Sequence, residues 1–364
     1  KNLEIAKAID LKKTLKEAYR QLAWAYENTN QLDLAEEDYK RIIDINQQEI
    51  NSNFSILSEN EKEMFFKTVS EDYDRYYSFA LKRENSNNSI TCDIYNSILR
   101  NKGLLLKSST AMRNAILASN NAEIISKYEL WTSLKQAIAQ QYSIPSNLRS
   151  GQLTEMEKNA DNLERELVKS SNEFSDFQVT STLTWMDIKN KLKDNEVAVE
   201  FINFRQSKDS TQYAALIVNN KSEYPIIITL FEEKKLEKIL GTIGGNNLRF
   251  VQNVYGTNNE PNEQLYNLIW KPIEDVIHKD KTVYYAPSGL LHKVSFAAIS
   301  KTKNHYLIDD LNLQLVSTTA NIGNPSNNGT IPMSQVTLIG GITYSANQNS
   351  SETWKYLSGT LHET

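Results

Sequence analysis

The spacing of apolar positions changes once along the chain. Up to about residue 175 they return every three or four positions, as in Leu11, Leu15, Ala18 and Leu22, the repeat of one helical face. This stretch holds only two glycines, Gly103 and Gly151, and one proline, Pro145, so little interrupts helix. Leu99–Leu106 leads into a helix through Met112 and Ile116, and Ile124–Tyr142 is a further long amphipathic stretch. Ser58-Glu-Asn-Glu61 and Thr154-Glu-Met-Glu157 have the spacing in which a hydroxyl and a carboxylate cap one helix start, so each predicts a helix opening.

After Ser170–Ser175, a polar boundary, short β-branched and aromatic runs take over. Glu196–Phe204, Tyr213–Val218 and Pro225–Leu230 are separated by the polar stretches Gln206–Thr211 and Asn219–Glu223, which predicts an antiparallel three-stranded meander. Helices are predicted over Glu232–Leu240 and Asn262–Ile277. Thr282–Ala286, Leu313–Ser317 and Gln335–Gly341 are predicted as buried strands, and their alternation with helices predicts an α/β layer. At 364 residues the chain is longer than the ~250–300 that one core usually serves, so more than one unit is expected.

Composition narrows the classes. Hydrophobic residues at 40% and charged residues at 23% fit a soluble globular protein. The net charge of −5 gives no basic footprint, so direct nucleic-acid binding through phosphates is disfavoured. A single cysteine, Cys92, excludes an internal disulfide framework and fits a reducing cytoplasm. No run of ~18 apolar residues predicts a membrane span. The chain starts at Lys1 without a signal-peptide pattern, which leaves room for sequence upstream.

Within the helical half, Tyr19, Leu22, Ala23 and Tyr26 are followed by Ala35 and Tyr39. The spacing resembles a tetratricopeptide repeat (TPR), two antiparallel helices joined near Asn28–Gln31. A generic helical hairpin would use the same small and aromatic residues. One such unit cannot bury its own face, so upstream repeats or the later helices are expected to cover it.

Five further segments, in order, resemble the CHAT family of caspase-like proteins. They are Trp185–Glu196 with the Val197–Phe204 strand, Leu265–Ile273, Tyr284–Ile299, Leu338-Ile-Gly-Gly341 and Leu357-Ser-Gly-Thr-Leu-His-Glu363. Leu57–Lys62 and Asn101–Leu106 are similar to the helical lead-in before such domains. Against the family pattern, Ser288 stands for an aspartate, Ser295 for a proline and Ser358 for a proline. The resemblance implies a TPR-like regulatory region over 1–175, then a separase-like α/β fold. That fold would comprise a degenerate caspase-like layer over 176–332 and the incomplete start of an active layer over 333–364. It implies a cysteine endopeptidase, a bacterial regulatory or defence protease activated by a protein partner through its helices and cutting a specific protein. The family's catalytic histidine and cysteine end two strands that follow the Gly-Thr-x-x-Glu box, so both are expected after Thr364 and this chain is expected to be inactive alone. No cofactor or metal is implied. The alternative is a non-catalytic scaffold with the same architecture.

The chain's own candidates fit the dyad poorly. Cys92 lies in the helical half, in Thr91-Cys-Asp-Ile-Tyr95, where a buried thiol is usually inert. His278 is placed at a helix end, His292 after a Pro-Ser-Gly turn, His305 in a polar loop and His362 in a variable position of the Gly-Thr box. Thr360-x-x-Glu363 has capping-box spacing, so His362 is expected in a first helical turn. Gly241-Thr-Ile-Gly-Gly245 lacks the Gly-Lys-Ser/Thr of a P-loop, and Gly340-Gly341 lacks the remaining glycines of a dinucleotide turn. No Cys/His set has zinc spacing; Asp72/Asp74 and Asp309/Asp310 are acidic pairs that could bind a cation, but paired surface acids are usually just solvated.

Overall fold

A computed structural model describes residues 12–84, 86–173, 183–241, 247–256, 262–277 and 282–323. The 1–11 segment, the boundary at 175/176, Gly244–Gly245, His278, the whole of 333–364 and its two family-like segments lie outside these residues.

The described residues open on seven helices: α1 (Lys12–Asn28), α2 (Leu32–Phe54), α3 (Glu59–Arg83), α4 (Ile90–Asn101), α5 (Leu104–Ala118), α6 (Ala122–Tyr142) and α7 (Leu153–Glu173). α1 and α2 turn on Asn30, which adopts a left-handed φ of 58° that asparagine tolerates better than most residues. Tyr19, Ala23, Ala35 and Tyr39 are buried at their crossing. Ser58 caps α3 as expected: its hydroxyl accepts the Glu61 N–H while the Glu61 carboxylate accepts the Ser58 N–H at 2.9 Å. The second predicted cap differs. α7 already begins at Leu153, whose N–H bonds the Ser150 carbonyl, and Glu157 is engaged by the Tyr142 hydroxyl.

A short helix α8 (Trp185–Lys191) leads to β1 (Glu196–Ser207), β2 (Ser210–Asn219) and β3 (Ile226–Glu232). These pair antiparallel as the alternating runs predict. α9 (Glu233–Leu240) and α10 (Asn247–Tyr255) follow, the second unpredicted. A π-helical turn, Tyr266–Trp270, then runs into α11 (Lys271–Ile277). Pro272 explains that turn: it has no N–H to donate and its ring crowds the preceding carbonyls, so the ladder widens there. β4 (Thr282–Ala286) pairs parallel with β1, and β7 (Asn312–Leu315) parallel with β4. A small hairpin, β5 (Ser300–Thr302) and β6 (His305–Tyr306), and the short α12 (Leu307–Asp310) intervene, and α13 (Ala320–Gly323) closes the described part.

The five-stranded sheet has the order β3-β2-β1-β4-β7. β7 corrects one expectation. It was predicted buried, yet it lies at the end of the sheet with Leu315 exposed, because among the described residues it has a neighbour on one side only.

Side-chain alternation along β1 divides the core in two. Ala198, Ile202 and Phe204 join Ala214, Leu216 and Val218 of β2 against Tyr77 of α3 and Ile94 and Leu99 of α4. Val197, Val199 and Phe201 face the other way, with Leu236, Trp270, Ile273 and Phe296. Both faces of the sheet are therefore covered, and this accounts for the almost unbroken apolar run of β1.

Candidate functional site

A charged residue interrupts that run. Glu200 sits on the helical face of β1 and is fully buried. A lone carboxylate there would cost several kcal/mol, so it must be paired. Lys102 supplies the charge: its Nζ lies 2.7 Å from Glu200 Oε1 and donates to the carbonyls of Phe201 at 3.0 Å and Ala286 at 2.9 Å. The other carboxylate oxygen accepts the Thr319 N–H at 2.8 Å and the Thr319 hydroxyl at 2.5 Å. With its proton so committed, Thr319 Oγ1 accepts from the Tyr95 hydroxyl at 2.9 Å. Burial and the Glu200 charge push the Tyr95 phenol far up, so it stays a donor.

Local structure aims these groups. Lys102 stands between α4 and α5, ahead of Gly103, whose left-handed φ of 71° no β-carbon residue adopts cheaply. Ala286 ends β4, on the carboxyl side where an α/β sheet usually binds ligands, and Phe201 lies midway along β1 just past its pairing with β4. Thr319 precedes α13. The cluster thus ties the helical half, two parallel strands and the segment after β7 at one point. Lys107 is close by: burial lowers its ammonium, which donates to the Leu99 carbonyl at 3.0 Å, while Glu200 opposes that shift. Burial lowers the His292 imidazole too, helped by the positive charge of Lys102.

The turn after β4 is held separately. Ser288 donates to Asn203 Oδ1, and the Tyr213 hydroxyl accepts the Leu290 N–H at 2.8 Å while donating to Glu233 at 2.6 Å. The arrangement fixes backbone and aligns strand ends.

The sequence-predicted candidates are dispersed. Cys92 lies on α4, where burial first and Asp93 second push its thiol up to about 11, against a smaller opposing pull from Lys40. His292 is exposed on the turn after β4, and His305 Nε2 lies 3.0 Å from Asp310 Oδ1. The acidic pairs are already engaged. Asp72 is held bidentately by Arg20 at 2.6 and 2.7 Å, and Asp310 by Lys301 at 3.0 Å. Asp309 accepts the Tyr306 N–H at 2.8 Å. Among the described residues no group of three or more His, Cys, Asp or Glu side chains is placed to hold a metal, and no helix is long and apolar enough to cross a membrane.

Sequence reasoning named the segments Asn101–Leu106, Val197–Phe204 and Tyr284–Ile299 but not Lys102 and Glu200 within them. The available signal was an acidic residue in the middle of Val-Ala-Val-Glu-Phe-Ile. Comparison with known families finds no family model that matches the chain, and comparison with curated proteins finds no match.

Proposed function

We propose that the chain is the helical regulatory region and the inactive caspase-like layer of a CHAT-type cysteine endopeptidase, one that a protein partner activates to cut a specific target. On this reading α1 and α2 form a TPR-like unit within the partner-binding arm. The histidine–cysteine dyad belongs to sequence that follows Thr364. The observation that carries the reading is the meeting of three family-like segments at the Lys102–Glu200 cluster: the helical lead-in supplies Lys102, the first strand Glu200, and the β4 segment the Ala286 carbonyl. In such an arrangement a shift of the helical arm reaches the middle of β1 and the carboxyl end of β4 directly. The role of this chain would be to receive a signal and position an active layer beside it.

Two measurements test this. Purified residues 1–364 should cleave no peptide; activity that Cys92→Ala abolishes would overturn the reading. In the parent sequence, a strand ending in His-Gly and a later strand ending in Cys should follow Thr364. Without them, the non-catalytic scaffold is the better description.

A further inference from the structure

Helices α5, α6 and α7 are held to the chain differently from α1–α4. Met112 and Ile116 of α5, with Leu167 and Val168 of α7, make a small core of their own, and Tyr128 and Trp131 of α6 rest against it. It is separate from the core that α1–α4 share with the sheet, which α5 enters only at its start, through Leu104 and Leu105. No residue of α6 is fully buried. A region with so few buried apolar side chains belongs to the low-stability end of a fold and opens before the main core does.

The bonds that tie these helices to the first turn of α3 are polar. The Glu59 N–H donates to Glu164 at 2.6 Å, Arg165 donates to Glu61 at 3.0 Å, and Lys62 donates to the Ser108 hydroxyl at 2.8 Å. Glu164 and Lys62 are almost wholly buried, 2% and 3% exposed. Each acts on the other's charge, yet among the described residues no ion pair joins them, and the second Glu164 oxygen has no donor. A buried carboxylate left half-satisfied is costly, so ionised Glu164 works against the contact that buries it.

The charges around Glu164 set the sign. Burial raises its carboxyl against the pull of the Glu59 N–H; the ammoniums of Lys135 on α6 and Lys62 on α3 also oppose the rise, and the Glu59 carboxylate adds to it. The closed arrangement therefore takes up a proton more readily than an open one. It is favoured below the raised value and weakened as pH rises through it. Lys62 has the opposite sign: burial lowers its ammonium against the charges of Glu164 and Glu59, so its protonation works against closure.

We propose that α5–α7 open from α3 as one unit about the turn at Gly103, and that the charge on Glu164 sets how often they do. The turn has room to move, since nothing crowds the place of the missing β-carbon of Gly103. Lys102, the partner of Glu200, is the residue just before it, so each opening acts on that pair. The device rests on helix packing alone and stands or falls apart from the protease reading.

Hydrogen exchange on the full chain, read by mass spectrometry and corrected for the intrinsic effect of pH on exchange, tests this. Peptides from α5, α6 and α7 should exchange together and ahead of those from α1–α4. Between pH 8 and pH 5 their protection should rise by about fivefold or more. In Glu164→Gln it should stand at the low-pH level throughout. Exchange of α5–α7 in step with α1–α4 would overturn the proposal, as would a pH dependence that Glu164→Gln retains. Protection that falls toward pH 5 would also overturn it, since Lys62 would then be the controlling group. Should Glu164→Gln not fold, the parent decides alone: protection of α5–α7 that is flat between pH 8 and pH 5 refutes the proposal.

Discussion

The ammonium of Lys102 and the carboxylate of Glu200 lie 2.7 Å apart at the junction of the helical half and the sheet. Glu200 is fully buried, so its charge has no water to fall back on. Lys102→Met should destabilise the protein by about 3–5 kcal/mol, since it leaves a buried carboxylate without its counter-charge and two carbonyls without their donor. Replacing both residues, as Lys102→Met with Glu200→Leu, should recover most of that loss. Urea unfolding of the single and double variants measures the difference, and additive losses would contradict the pairing.

Two glycines with positive φ should respond differently to alanine. At Gly103 an added β-carbon meets open space, so Gly103→Ala should cost only the left-handed backbone, about 1–2 kcal/mol. At Gly289, with φ 53°, the same carbon collides with the Tyr213 hydroxyl and crowds Asn203. Tyr213 would have to give up its bonds to Leu290 and Glu233, adding about 1–3 kcal/mol. Thermal unfolding should rank Gly289→Ala clearly below Gly103→Ala.

Glu164 of α7 is buried, and one of its oxygens accepts the Glu59 N–H at the start of α3. Burial nonetheless raises its carboxyl above 4.5, against the pull of that hydrogen bond. A raised carboxyl binds its proton more tightly in the folded state. Its contribution is therefore fully present below pH 4.5 and is lost as pH rises through the raised value. Glu164→Gln, which keeps an acceptor for Glu59 without the charge, should raise Tm at pH 7, and the gain should shrink toward pH 4. A gain that is constant with pH would refute the assignment.

Cys92 should be a slow nucleophile. With its thiol near 11 against about 8.5 for a free cysteine, the thiolate fraction at pH 8 is lower by roughly two-hundredfold. Iodoacetamide alkylation followed by intact mass should show that ratio relative to a free cysteine peptide, and should accelerate up to pH 11.

Much of the architecture was legible in the chain. The β1, β2 and β3 runs, the Ser58 cap and the α1–α2 pair all follow from local pattern, because each depends on neighbours within one or two turns or one hairpin. What escaped depends on distant partners. Leu313–Leu315 has the composition of a buried strand, yet Leu313 is half-buried and Leu315 exposed, because among the described residues β7 has a neighbour on one side only. α6 has the apolar residues of a core helix, among them Ile124, Tyr128 and Leu130, yet none of its residues is fully buried. The candidate site was half legible: its segments stood out, but that Lys102 would meet Glu200 is a matter of topology, and no spacing encodes it.

The covering of one sheet face by α3 and α4 has a further consequence, for modularity. Ala198, Ile202, Phe204, Leu216 and Val218 have Tyr77, Ile94 and Leu99 as their shelter from water. A chain begun near residue 183 would keep Trp185 and Ile188 of α8 on that face but lose the cover that α3 and α4 give it, exposing much of its apolar surface. Among the described residues, α3 and α4 share one continuous apolar interior with the sheet.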